Sequence, residues 1–182
     1  MRVIATAIPE VLILEPDLFQ DERGWFRETW QAARFRAAGL DWEFVQDNHS
    51  RSRTGTLRGL HYQIEQAQGK LVWVVAGAVF DVAVDLRRSS PTFGRWVGVV
   101  LTADNNRQVW IPAGFAHGFY VTAGPADLLY KCTTPYAAEY DRTLRWDDAA
   151  LAIEWPIARG VTPLISEKDA RGSPLRDAPV YP

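Results

Sequence analysis

The sequence predicts an all-β fold, an antiparallel sandwich or barrel, and three observations carry that reading. Short runs rich in β-branched and aromatic residues recur along the chain, Gly, Pro, Asn and Asp punctuate them at regular intervals, and the cleanest run alternates with a period of two. In that run, residues 78–86, Phe80, Val82, Val84 and Leu86 fall on one face and Asp81 and Asp85 on the other, so one face is expected to be core.

In chain order the expected strands are residues 11–14, 25–29, 43–48, 57–63, 70–75, 78–86, 95–101, 108–111, 118–121 and 127–133. The best helix is 31–38, where Ala and Arg favour helix and Gly39 supplies a C-terminal cap. A second short helix is expected near Asp147 and Asp148, whose carboxylates suit the positive end of a helix. From about residue 163, Pro163, Pro174, Pro179 and Pro182 with little periodicity predict an irregular tail that wraps the surface without adding strands. There is no repeat, linker or low-complexity stretch, so residues 1–182 read as a single domain long enough to bury its own core.

Hydrophobic residues make up 47% of the chain, charged residues 23%, and the net charge is -2. That balance excludes disorder and a general polyanion-binding surface, so nucleic acid is not an expected partner and any anionic ligand must meet local cations. A single cysteine, Cys132, excludes an internal disulfide and a cysteine-cluster metal site and fits a reducing cytoplasm. No stretch approaches the length of a membrane span, and the N-terminus lacks a long apolar core with a cleavage site, so a soluble, unprocessed protein is expected.

The run Leu57-Arg58-Gly59-Leu60-His61-Tyr62-Gln63, followed by Gly69-Lys70-Leu71, places an imidazole near two cations in a chain with three histidines. A neutral imidazole, with a reference pKa of about 6.5, accepts protons near neutrality, and a nearby lysine can hold the charge that appears when carbon gives up its proton. The same residues also fit a hydrogen-bonded core histidine with Arg58 and Lys70 on the surface. Strand parity sends Arg58 and His61 to opposite faces. If both serve one pocket, Gly59 should mark a bulge that re-aims one of them.

His117 lies in Ile111-Pro112-Ala113-Gly114-Phe115-Ala116-His117-Gly118-Phe119, which resembles the second motif of the cupin superfamily, where a metal-binding histidine is common. The metal reading fails on arithmetic. The first cupin motif needs a His-x-His pair, this chain offers His61 and Gln63, and only His49 remains to complete a set. No metal is expected, and His117 reads either as a hydrogen-bond donor to a bound anion or as a packed strand histidine. Tyr130 can exchange a proton or simply pack. Ser166-Glu167-Lys168-Asp169 reads as a solvated charge run unless the tail folds back, in which case Asp169 could fix the tautomer of His61. Residues 19–28 mix aromatics with Arg23 and Glu28, a combination suited to stacking on a base or to an ordinary edge strand.

Taken together, the stretches Asp21-x-Arg23-Gly24, Gln46-Asp47-Asn48-x-Ser50, Leu57 to His61, Gly69-Lys70-Leu71, Val79 to Asp85, Ser90-Pro91-Thr92-Phe93-Gly94, Ile111 to Phe119 and Tyr130-Lys131 resemble the dTDP-4-dehydrorhamnose 3,5-epimerase family. The resemblance runs from about Val11 to Asp169. It implies a cupin-type double-stranded β-helix, or jelly-roll, sandwich with a few short helices, and a cofactor-free reaction on a dTDP-linked 4-keto-6-deoxy sugar. His61 would abstract a proton, supported by Asp169, while Lys70 stabilises the enolate oxygen and Tyr130 returns a proton from the opposite face. Arg58, Asn48, Gln46 and His117 match positions that hold sugar and diphosphate, with Lys168 as a further cation. Arg23, Phe26 and Glu28 match a nucleotide-binding segment that relatives take partly from the neighbouring subunit, which implies a homodimer.

The chain departs from the family pattern at Pro135, where many relatives carry a tyrosine, at Asp141, a substrate-binding position where a longer acid can occur, and at Trp25, which replaces a common phenylalanine. Pro135 keeps open inversion at a single carbon. A ketoisomerase, a metal-dependent cupin oxygenase and a non-catalytic sugar-nucleotide-binding cupin are the other readings.

Overall fold

A computed structural model describes residues 1–182. In chain order it contains β1 (Arg2–Ala5), β2 (Leu12–Glu15), β3 (Leu18–Asp21), β4 (Gly24–Arg27), α1 (Ala32–Ala37), β5 (Gln46–Ser52), β6 (Leu57–Gln63), β7 (Lys70–Asp85), β8 (Trp96–Thr102), β9 (Gln108–Ile111), β10 (Phe115–Cys132), β11 (Asp141–Thr143) and α2 (Glu167–Ala170).

Two long antiparallel strands, β7 and β10, organise the molecule. The first half of β7 pairs with β9 and its second half with β8, while the first half of β10 pairs with β6 and its second half with β5. Each long strand therefore belongs to both layers of a sandwich. One layer runs β1-β2-β9-β7-β10-β5, the other β8-β7-β10-β6-β11. This is the jelly-roll arrangement, with antiparallel pairing throughout the strand ladders. The crossing point is marked by Gly77, whose φ is +74° and where a Cβ would stand 2.4 Å from the carbonyl oxygen of Ala123. Only glycine fits there. Ala76-Gly77 and Gly124-Pro125, which separate the expected strands 70–75 from 78–86 and 118–121 from 127–133, are bends within continuous strands.

Burial follows strand parity. Val72, Val79, Ala83, Val99, Phe119 and Leu128 fill the space between the layers. Val82, Val84 and Leu86 face outward but are covered by Leu144, Leu151 and Ala178 of the C-terminal tail. Leu71, Trp73 and Trp110 face outward on the other layer and are covered by Phe35 and Leu40. The expectation that residues 78–86 bury a single face is thus corrected. Both faces are buried, because the tail covers the Val82 side and the Asp81 side points into the sandwich, where Asp81 and Asp85 are 2% and 0% exposed.

The first helix forms as expected. Gln31 caps it by accepting from the Arg34 amide, and Gly39 at φ +81° closes it with Leu40 N–H donating to Phe35 O and Gly39 N–H to Arg36 O. No helix forms at Asp147 and Asp148. There Asp148 instead accepts the amides of Ala150 and Leu175 at 2.7 and 2.6 Å, closing a turn and pinning the tail. The second helix lies at α2, where Ser166 accepts from the Asp169 amide at 3.1 Å. Strands β1, β3 and β11 were not foreseen. Each is short, and their exposed or half-exposed residues give no alternation to read.

Candidate active site

Between the layers, the inward positions of β5, β6, β7 and β10 are apolar at one end and polar at the other. At the polar end His61, Gln63, Lys70, Tyr130, Asn48 and Gln46 surround a cavity of about 270 Å³, completed by Gln68, Cys132, Tyr136, Asp141 and Lys168 with the edge of Tyr62. Inward parity selects these residues: Lys70 precedes the buried Val72 by two, and Tyr130 and Cys132 follow Leu128 by two and four.

Gly59 is the expected bulge. His117 pairs with His61 and Phe119 with Arg58, so Gly59 and Leu60 together face Gly118. That extra residue reverses parity and brings Arg58 and His61 to the same side. Arg58 and His61 line one open pocket with Ser166, Lys168 and Asp169. The close approach requires glycine, since a Cβ at Gly59, where φ is +113°, would lie 2.7 Å from Gly118 Cα and His117 O.

His61, 33% exposed at its side chain, places Nε2 at 2.6 Å from Oδ1 of the buried Asp169. The other carboxylate oxygen accepts the Gly59 amide at 3.2 Å. Burial pushes the Asp169 pKa up, but the hydrogen bond and charge of His61 and the Gly59 amide overcome it, and the net shift is downward. Asp169 therefore stays ionised and holds the Nε2–H tautomer, which leaves Nδ1 as the basic nitrogen.

Lys70 is 8% exposed and forms no ion pair; burial lowers its pKa, while the carboxylates of Asp141 and Asp81 oppose that shift. Tyr130 has its pKa raised, chiefly by burial, with Arg58 opposing, so its phenol keeps its proton at neutral pH. Arg58 donates to Ser52 Oγ at 2.9 Å and meets no carboxylate. Gln46 donates to Asn48 Oδ1 at 3.0 Å, Lys168 pairs with Asp141, and Asp141 also accepts the Tyr136 hydroxyl at 3.0 Å.

The other expected residues lie elsewhere. His117 is one step across the ladder from His61, buried, with Nε2 at 2.8 Å from Asp81 Oδ2, behind the cavity. Arg23 and Phe26 belong to the β3–β4 ribbon, outside the main sheet; the Arg23 side chain is 86% exposed and bonds only to Asp21. Glu28 faces Arg34 near α1. No part of this ribbon lines the cavity of its own chain. The three histidines each face a different aspartate, His49 with Asp127, His61 with Asp169 and His117 with Asp81, and no three His, Cys, Asp or Glu groups are placed to hold a metal.

Gln63, Gln68, Cys132 and Tyr136 were not foreseen as lining residues. Strand alternation pointed to Gln63 and Cys132, each two residues beyond a named catalytic candidate; Gln68 and Tyr136 sit on loops that carry no such signal. Gln63 shapes the site by donating to the carbonyls of Gln66 and Pro135 and accepting the Ala137 amide. It holds the loop in which Tyr136, the residue after Pro135, brings an aromatic ring to the cavity.

Across residues 5–177 the chain matches the family described as dTDP-4-dehydrorhamnose 3,5-epimerase. It belongs to that family. A dTDP-4-dehydrorhamnose 3,5-epimerase of Pseudomonas aeruginosa is 55% identical over 100% of both chains. Among solved structures, the dTDP-6-deoxy-D-glucose-3,5-epimerase of Legionella pneumophila in complex with dTDP-4-keto-L-rhamnose is 53% identical, with a TM-score of 0.91 over 96% of this chain and 93% of that one. A 3′-monoepimerase of Streptomyces bikiniensis in complex with dTDP-quinovose is 36% identical, with a TM-score of 0.87 over 94% and 87%. Membership in the dTDP-4-dehydrorhamnose 3,5-epimerase family accords with the jelly-roll fold and makes the polar end of the sandwich the place to seek an isomerase site.

Proposed function

We propose that this chain epimerises dTDP-4-dehydro-6-deoxy-D-glucose at C3 and C5 to dTDP-4-dehydro-L-rhamnose. The observation that carries the reading is the His61–Asp169 pair opening on the same cavity as an unpaired lysine and a protonated phenol. The substrate's C4 carbonyl acidifies the hydrogens on C3 and C5. His61 takes one of them, the electron pair moves onto O4, and the Lys70 ammonium stabilises the enolate. Tyr130 then gives its proton to the carbon from the opposite face, and the centre is inverted. A positioned base contributes about 10² to 10⁴-fold, and a fixed charge at the developing oxyanion a comparable or larger factor. The ketone is the electron sink, so this reading calls for no cofactor.

Gln46, Asn48 and Asp141 are positioned to orient the sugar, and Arg58 and Lys168 to meet the diphosphate. His117 acts from behind His61. The exposed ribbon bearing Arg23 and Phe26, with Glu28 at its base, serves the nucleotide of a neighbouring subunit in a homodimer. Phe19, Trp25 and Phe26 are 57%, 56% and 67% exposed, an apolar surface suited to a partner. A cytoplasmic enzyme fits a chain whose one cysteine is free and buried; no helix is long and apolar enough to cross a membrane.

The test is turnover in D₂O followed by NMR. Deuterium at both C3 and C5 of the product is expected. Label at a single carbon would reduce the activity to the single-site epimerisation that the resemblance to the Streptomyces monoepimerase favours as second reading.

A further inference from the structure

Asp47 and Lys131 stand inside two of the stretches that carry the family resemblance, yet neither has a part in the mechanism above. They face each other across the β5–β10 ladder, flanked by the pairs Asn48 with Tyr130 and Gln46 with Cys132. Those four neighbours line the cavity, and strand alternation turns Asp47 and Lys131 to the outer face. There Lys131 Nζ donates to both carboxylate oxygens of Asp47, at 2.8 and 3.1 Å. It also lies over two rings, 5.3 Å from the centre of Trp30 and 6.0 Å from that of Phe44. The Asp47 side chain is 72% exposed and that of Lys131 only 17%. An ordinary surface pair contributes little, but here the two rings hold the ammonium in one place for the carboxylate.

We propose that Lys131 is a positioning residue: through Asp47 it clamps the edge strand β5 to β10 and so aims Gln46 and Asn48 at the sugar. The inference rests on the sugar-orienting role given above to those two residues. Within the chain β5 has β10 as its one neighbour, and their register ends at Gln46 and Cys132, one rung beyond the clamp. A strand end paired on one side opens locally unless something pins it. β10 needs no such clamp, because β7 pairs with it along its other side at the same rungs, Leu71 with Lys131 and Lys70 with Cys132. Asp47 is tied down on the outer face while Gln46 and Asn48, on either side of it, reach inward, so holding the one sets the other two. Gln46 in turn accepts the Tyr136 amide at 2.8 Å, so the same rung seats the loop that carries Tyr136.

Steady-state kinetics with the sugar nucleotide, measured beside dTDP affinity, test this in Lys131→Met, which keeps the apolar stem and removes the charge. KM should rise about tenfold with kcat within about threefold of wild type, because a group that orients the sugar serves ground state and transition state alike. The dissociation constant of dTDP, which lacks the sugar, should stay within about threefold, and Lys131→Arg, which keeps the cation over the rings, should restore KM. A merely structural role would weaken dTDP binding and kcat together with KM, and that result overturns the proposal. So does a wild-type KM in Lys131→Met. Should that variant fail to fold, Asp47→Asn at the exposed end of the pair decides the matter: KM raised several-fold supports the clamp, and an unchanged KM overturns it. Asn48→Ala tells the two levels apart. A raised KM there beside a wild-type KM in Lys131→Met removes the clamp alone, whereas a wild-type KM in Asn48→Ala removes the sugar-orienting role of β5 and this inference with it.

Discussion

The Nε2 atom of His61 lies 2.6 Å from Oδ1 of Asp169, a residue 108 positions later in the chain. A tail helix of four residues delivers the carboxylate, and Ser166 caps that helix by accepting the Asp169 amide. If this pair sets the tautomer of the base, Asp169→Asn should lower kcat by about 10² to 10⁴ with little change in KM. Steady-state kinetics within about threefold of wild type would show the pair to be idle.

Lys70 separates stability from activity. Its depressed pKa means that the folded state binds fewer protons than the unfolded state between the folded value and 10.5, so folding stability rises with pH through that window. At neutral pH the buried ammonium is a cost. Lys70→Met should abolish turnover while leaving the protein as stable or more stable, by about 1 kcal/mol. A clearly lowered melting temperature would contradict this view of Lys70.

At the opposite end of β7, Asp85 accepts from Arg87, Ser90 and Thr92 at 2.6–2.9 Å. Burial raises its pKa, but these bonds bring it down from 3.8 to about 2. Because the folded value is depressed, the linked stability is complete above about pH 4, amounts to about 2 kcal/mol, and is lost as pH falls through about 2. Asp85→Asn should flatten that part of the acid-denaturation curve; an unaltered curve would assign the acid sensitivity elsewhere.

The bulge is equally open to test. Gly59→Ala would drive a methyl against Gly118 and the His117 carbonyl at a φ that side chains avoid. A loss of about 2–4 kcal/mol in stability is expected, with a fall in kcat because Arg58 and His61 would no longer converge. Wild-type stability and activity together would mean that the ladder can absorb the change.

A shared nucleotide site predicts subunit complementation. Arg23→Ala and His61→Asn homodimers should each be nearly inactive, and mixing them should restore about a quarter of wild-type activity, because half the dimers are hybrids with one intact site of two. If Arg23 served its own chain, mixing would restore nothing.

How much of this was legible in the sequence depends on what each residue answers to. Strand β6 and strand β9 were read to the residue: Gly55 stands just before the first, and Asn105-Asn106 and Pro112 bracket the second. The bulge followed from a conflict between parity and chemistry at Arg58, Gly59 and His61. The bends at Gly77 and Gly124-Pro125 misled, because a break in a strand and a curve in a longer one carry the same local signal. The contact between Asp169 and His61 left no trace in periodicity; it arises from the tail packing over Leu144 and Leu60, a tertiary event. The burial of Asp81 and Asp85 was hidden for a similar reason, since charged residues on an alternating strand ordinarily mark the wet face.

Solvent deuterium exchange at C3 and C5, measured beside dTDP affinity in His61→Asn and Tyr130→Phe, puts the whole mechanism to the question. Exchange should fall by at least about 10²-fold in His61→Asn, and net inversion should collapse in Tyr130→Phe, while dTDP binds both variants within about threefold of wild type. Wild-type exchange and inversion in either variant would contradict the placing of an imidazole base and a phenolic acid on opposite faces of the sugar.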